Sequence, residues 1–235
     1  MTLAIDHAII LAAGFGTRLR PVTDTVPKAM ASVKGKPLLG YAIDRLLLAG
    51  VKKIIINTHY LPQVIADYVT ARQDARLQVI HEPEILETGG GIKNALPHLG
   101  QRPFYAINAD SLWSERGQAL LQQLADCYAP SMDALLALIE NSGQYPELAG
   151  DFQREGDGRL RRKDLPKPLP YHFIGAQILH PRLFENSPTG KFSLNVLYNQ
   201  AEARGTLFGI VSQETIWNHI STPKDLAAAN QDFIP

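Results

Sequence analysis

LAAGFGTRLRPVTDTVPK, residues 11–28, sets a glycine turn, an arginine and a proline-anchored lysine directly behind one apolar strand. The strand, residues 7–12, is apolar on both faces, as a strand buried in a mainly parallel sheet must be. Gly14 and Gly16 permit the torsions and close approach that main-chain N–H groups need to hold an anion, and Thr17 adds a hydroxyl donor. Arg18 offers a planar fork for phosphate oxygens, and Lys28, fixed beside Pro27, offers a point charge for a second phosphate. The segment therefore reads as a polyphosphate grip.

Spacing excludes two other glycine loops. A dinucleotide turn needs a third glycine where Leu19 stands, and an acid near the end of the next strand, which closes on Asn57 instead. A P-loop needs Ser or Thr after Gly-Lys, but Gly35-Lys36 is followed by Pro37.

Outward from this loop, strands alternate with helices. Helix signals cover residues 37–49, stopping at Gly50, then 62–73, a short 92–96, 118–128, 192–204 ending at Gly205, and 223–230. Strand patterns cover 53–57, 77–81, 104–108, 133–139, 171–179 and 206–211. Residues 150–155 and 160–163 flank Gly156-Asp157-Gly158 as a hairpin, read as a lid on the sugar side. In open α/β sheets ligands lie outside the carboxyl ends of the strands, so the loops after residues 12, 81 and 108 should converge. Asp110 stands in the last of them, where a magnesium ion held by one or two carboxylates and substrate phosphates would be placed. A turn-capping aspartate is the structural alternative. Thr88-Gly89-Gly90-Gly91 ahead of Ile92 can let the backbone approach a flat base, with Glu82 and Leu86 flanking it, or can be a plain turn.

Gly-x-Gly-Thr-Arg, a spacer and Pro-Lys resemble the signature of the sugar-phosphate nucleotidyltransferases, or nucleotide-sugar pyrophosphorylases, and LETGGGI (residues 86–92) resembles their second motif. The likeness is strongest to the short N-acetylmuramate 1-phosphate uridylyltransferase group. It implies an α/β fold, a Rossmann-like three-layer sandwich with a mixed, mainly parallel central sheet. One domain over residues 1–235 is expected, with a nucleotide half to about 128 and a sugar half after it. The implied reaction moves a nucleoside monophosphate, UMP from UTP, onto a sugar 1-phosphate, N-acetylmuramate 1-phosphate, and releases pyrophosphate. Mannose-1-phosphate guanylyl transfer, glucose-1-phosphate thymidylyl transfer and a non-catalytic nucleotide-sugar sensor are the alternatives. Arg18, Lys28 and Asp110 become the catalytic candidates. Leu11, Ala12, Ala13, Gly14, Gly16, Thr17, Glu82, Leu86, Thr88 and Gly89 fall on the nucleotide side, and Asn108, Gly150 and Gly175 on the sugar side. The family's late Trp-x-Asp-x-Gly-Thr pattern appears here as Trp217-Asn218-His219-Ile220-Ser221-Thr222, so His219 takes the place of a second metal-binding aspartate beside Asp110. Imidazole suits manganese better than magnesium, so Mg²⁺ or Mn²⁺ is the expected cofactor.

Composition sets limits. A chain of 235 residues, 45% of them hydrophobic, can bury a sizeable core. Its formal net charge of zero gives no ground for a nucleic-acid partner or an anionic membrane surface. The apolar run at residues 8–13 is too short to span a membrane. Cys127 is the sole cysteine, which rules out an internal disulfide, fits a reducing cytoplasm and reads as a buried small hydrophobe. Monomer and homodimer are both compatible with the sequence.

Overall fold

The computed structural model describes residues 4–234. In chain order the main elements are β1 (His7–Leu11), α1 (Leu38–Leu48), β2 (Lys53–Thr58), α2 (Pro62–Ala71), β3 (Leu77–His81), α3 (Glu87–Leu99), β4 (Phe104–Asn108) and β5 (Leu112–Glu115). They continue with α4 (Leu120–Cys127), β6 (Ala134–Glu140), β7 (Tyr171–Leu179), α5 (Asn195–Arg204), β8 (Leu207–Val211), β9 (Thr215–Asn218) and α6 (Pro223–Asp232). A seven-stranded sheet runs β8-β6-β7-β4-β1-β2-β3. Every pairing is parallel except the two made by β7, so the sheet is mixed and mainly parallel, as expected from the sequence.

Period-two alternation builds the layers. Along β1, Ala8 and Ile10 face a core shared with Leu39, Ile43 and Leu46 of α1, Ile65 of α2 and Leu120 and Leu124 of α4. Ile9 faces the opposite core, with Ile92 and Leu99 of α3 and Leu197 and Tyr198 of α5. All three β1 side chains are fully buried, which is why the strand reads as an unbroken apolar run. A third, smaller cluster packs Leu19, Leu38, Leu112, Ile220 and Phe233 beneath the loop after β1. Helix α6 closes it, opened by a capping box in which Thr222 and Asp225 satisfy each other's backbone donors.

Four local expectations need correction. Helix α3 begins at Glu87, not at Ile92, so Gly89, Gly90 and Gly91 lie inside the helix. Phe192, Ser193 and Leu194 precede α5 instead of belonging to it. The hairpin around Gly156-Asp157-Gly158 forms, pairing Gln153–Arg154 with Leu160–Arg161, but it lies against the outer edge strand β8. There Arg154 donates to the Gly209 carbonyl at 2.9 Å and the Gly209 N–H donates to Gly158 at 3.0 Å, so the hairpin is no lid over the strand ends. Cys127, at the last turn of α4, is exposed.

Candidate active site

The chain leaves β1 toward β2 and β3 on one side, and later returns to add β4 on β1's other side. The direction of winding reverses between β1 and β4, and a crevice opens at their carboxyl ends. The Ala109 N–H donates to the Leu11 carbonyl at 3.0 Å, holding the two loops at the floor of that crevice.

The loop after β1 is shaped for an anion. Ala12 donates its N–H to Asn57 Oδ1 at 2.8 Å, but the next four N–H groups, on Ala13, Gly14, Phe15 and Gly16, donate to no described residue. A row of free main-chain donors is an anion-binding concavity. Gly16 has φ +63°, and a Cβ there would stand 2.8 Å from Lys28 Cβ and 3.0 Å from Thr23 Cγ2. Its carbonyl accepts from Leu19 N–H and from Thr23 Oγ1, both at 2.9 Å. Gly16 is thus required by the backbone and by the approach of Lys28. Gly14 instead faces open space.

Two hollows meet at one wall. The first, of about 240 Å³, is lined by Leu11, Ala12, Ala13, Gly14, Gly16, Lys28, Asn57, Glu87 and Thr88, among others. The second, of about 260 Å³, lies against Arg18, Ser111, Asp151, Gly175, Trp217 and His219. Asn108 and Asp110 belong to both. Lys28 donates to Asp110 Oδ2 at 2.5 Å, with their side chains 15% and 37% exposed. A cation and an anion are therefore held together on the dividing wall, each able to exchange its partner for an incoming charge. Thr17 is exposed and lines neither hollow. Arg18 is exposed, has no hydrogen bond or ion pair among the described residues, and borders the second hollow instead of the first.

A short ribbon carries His219 to this wall. Strands β5 and β9 pair antiparallel, with Trp113 opposite Trp217. The Tyr145 hydroxyl donates to the Trp217 carbonyl at 2.8 Å and accepts from the His219 N–H at 3.2 Å, and its ring packs edge-on against both. The His219 ring nitrogens have no hydrogen-bond partner among the described residues. Burial lowers the His219 pKa, opposed by Asp225 and Asp110 and assisted by Lys28 and Arg18. The imidazole is therefore neutral at pH 7 and its lone pair is free to bind.

Glycine positions divide. Gly175 lies at φ +81° where the β6–β7 register shifts, and a Cβ on it would stand 1.9 Å from Ser111 Oγ and 3.0 Å from Asn108 Nδ2. Its bareness lets β7 close on the loop after β4 within the second hollow. Gly150 borders neither hollow: a Cβ there would stand 2.1 Å from the Leu169 carbonyl oxygen, so its close approach is to the chain's own backbone. The same holds for Gly89, whose N–H donates to the Phe192 carbonyl at 3.0 Å and whose Cα faces the Phe192 ring. Glu82 is completely buried and bonded to Asn57 and to the Leu86 N–H. Thr88 does line the first hollow, with its Oγ1 accepting from the Leu194 N–H at 2.9 Å, whereas Leu86 stands just behind Ile85 and Glu87.

Residues 7–143 match the family described as Nucleotidyl transferase. The chain belongs to the nucleotidyl transferase family. It is 37% identical to N-acetylmuramate alpha-1-phosphate uridylyltransferase of Caulobacter vibrioides, over 97% of either chain. It is 34% identical to the protein of the same name in Neisseria meningitidis serogroup B, over 92% of this chain and 93% of that one. Its fold matches a crystal structure of UDP-glucose pyrophosphorylase complexed with UDP-glucose at a TM-score of 0.82, with 21% identity and 97% of each chain covered.

In this nucleotidyltransferase two features of the site escape sequence reasoning. Asn57, whose lack of charge served only to exclude a dinucleotide turn, is 2% exposed, lines the first hollow and fixes the Ala12 N–H. A polar residue ending an Ile-Ile-Ile strand was the available signal. Tyr145, which orders His219, lies 74 residues before it in an irregular loop and gives no signal by spacing.

Proposed function

We propose that the chain transfers UMP from UTP to N-acetylmuramate 1-phosphate, as a single catalytic unit with the nucleotide in the first hollow and the sugar phosphate in the second. The observation that carries this reading is the wall of Asn108 and Asp110, shared by both hollows and paired to Lys28. The choice of base and sugar rests on the two full-length uridylyltransferase relatives.

The sugar phosphate oxygen attacks the α-phosphorus as the bond to pyrophosphate breaks on the opposite side, so no protein nucleophile is needed. Positioning and charge neutralisation supply the catalysis. The free N–H groups of Ala13 to Gly16 bind phosphate oxygens of the nucleotide. Lys28 leaves Asp110 and places its ammonium on the α-phosphate, where charge grows. Arg18, bordering the second hollow and bearing no internal partner, holds phosphate oxygens at the junction.

The donor set fits a divalent ion of a particular kind. No group of three His, Cys, Asp or Glu side chains is gathered among the described residues, so the protein alone makes no cage. Asp110 and neutral His219, which both line the second hollow, fit an ion that completes its shell with substrate phosphates, as Mg²⁺ or Mn²⁺ does. When bound, such an ion screens the phosphate charges that would otherwise repel each other. Among the described residues no helix is long and apolar enough to cross a membrane, and we place the reaction in the cytoplasm, in the salvage of a cell-wall sugar.

Pyrophosphate release, measured over a panel of nucleoside triphosphates and sugar 1-phosphates in Mg²⁺ and in Mn²⁺, tests this reading. The UTP and N-acetylmuramate 1-phosphate pair should turn over fastest. Faster turnover of GTP with mannose 1-phosphate, or of dTTP with glucose 1-phosphate, would replace the assignment. Binding without pyrophosphate release in either metal would mean a sensor. In the same assay His219→Ala should raise the metal concentration giving half-maximal rate by about 10-fold or more. An unchanged metal requirement would remove His219 from the ion.

A further inference from the structure

Glu82 is a fully buried carboxylate that has no ion pair among the described residues and lines neither hollow. Such a group is costly unless its oxygens are satisfied by hydrogen bonds. Oε1 accepts from Asn57 Nδ2 at 2.7 Å and Oε2 accepts from the Leu86 N–H at 3.3 Å. The same Asn57 amide, through Oδ1, accepts the Ala12 N–H at 2.8 Å. Gly91 makes the room: a Cβ there would stand 2.7 Å from Asn57 Nδ2 and 2.8 Å from Glu82 Oε1. A second path leaves the Glu82 main chain, whose carbonyl accepts from His59 Nδ1 at 2.8 Å, and the His59 ring meets Phe15 of the phosphate loop edge-on at 5.4 Å.

We propose that the Glu82–Asn57 pair is a positioning relay that sets the phosphate loop and the base-side segment in register with each other, so that one nucleotide meets both. The polarity of the relay is fixed from end to end. The Ala12 N–H is a donor, so Asn57 must present its oxygen to it and its NH₂ to residue 82. Leu86 N–H is also a donor, so residue 82 must accept twice. A glutamate side chain with an oxygen facing each donor meets that demand. Glutamine at 82 would set an NH₂ against either Asn57 Nδ2 or Leu86 N–H. Relief by turning the Asn57 amide would break its bond to Ala12. The relay rests on the nucleotide-site reading above but is testable without it.

The experiment compares wild type, Glu82→Gln, and the double variant Asn57→Asp with Glu82→Gln. In the double variant the aspartate accepts from Ala12 and from the glutamine NH₂, and the glutamine oxygen accepts from Leu86, so all three bonds are restored and only the one between residues 57 and 82 reverses its direction. Hydrogen–deuterium exchange is read first, on protein without nucleotide. In Glu82→Gln the Ala12 amide, held by Asn57, should exchange about 10-fold faster or more, along with that of Leu86, and the double variant should return both toward wild type. UTP kinetics are read next. Glu82→Gln should raise the KM for UTP about 10-fold with a smaller change in kcat; the double variant is read by exchange alone, because its aspartate lines the nucleotide hollow. Faster exchange confined to Leu86, or a lowered melting temperature with unaltered exchange at Ala12, would overturn the relay, as would a double variant whose exchange is no better than that of Glu82→Gln. Failure of wild type itself to use UTP would count against the proposed function, and the exchange result would still decide the relay.

Discussion

Asp110→Asn is expected to lower kcat by about 10³-fold while the protein stays folded, because Asp110 would hold the divalent ion that neutralises charge on the reacting phosphates. Asp110 is the one carboxylate common to both hollows, at the end of β4 where the sheet's winding reverses. The amide keeps the shape of the side chain and loses its charge. The folded state should tolerate this, since Asp110 is 37% exposed and its recorded partner, Lys28, is the side chain of a flexible cation. Single-turnover pyrophosphate release and thermal unfolding, measured on the same preparation, check the two halves. Loss of activity with an equal loss of folded protein would reduce Asp110 to a structural residue.

Lys28→Met should cost about 10²–10³-fold in kcat, with the KM for the nucleotide changed far less. Methionine preserves the stem of the side chain that Gly16 accommodates, so packing at Lys28 Cβ is retained and only the ammonium is removed. The Lys28 side chain is 15% exposed and its ammonium rests on Asp110, so the charge is partly desolvated before substrate enters. A charge held this way acts more strongly on a developing negative charge than one in bulk water does. A rise in KM alone, with kcat intact, would make Lys28 a ground-state phosphate clamp and would leave the α-phosphate without its proposed cation.

The fold was legible where one residue pattern answered to one physical demand. The apolar run of β1 required burial on both faces, and Asp110 followed from the rule that open sheets bind ligands beyond their strand ends. The ribbon of β5 and β9 was not legible, because each strand has only four residues and its partner lies about a hundred positions away. The glycine triplet was misread for a different reason. Glycine is a poor helix former, so Gly89-Gly90-Gly91 read as a loop ahead of the helix, for a base or as a plain turn. Tertiary packing overrides that preference: the bare Cα atoms admit the Phe192 ring, the Gly190 carbonyl and the Glu82–Asn57 pair. Glu82 shows the same limit from the side of polarity. A carboxylate near a glycine motif reads as a ligand contact, and only its burial and its two donors show that it works one layer behind the cleft. Gly150 likewise, at φ +68°, leaves the space that the Leu169 backbone takes up.

The central claim is that nucleotide and sugar phosphate sit at once on the two sides of the Asn108–Asp110 wall and react in one displacement. Transfer from UTP carrying a single sulfur stereochemically placed on the α-phosphorus tests it most directly. The account predicts that the product nucleotide-sugar forms with inverted configuration at that phosphorus. Retention would reveal two displacements and a covalent nucleotidyl-enzyme, and would contradict the account.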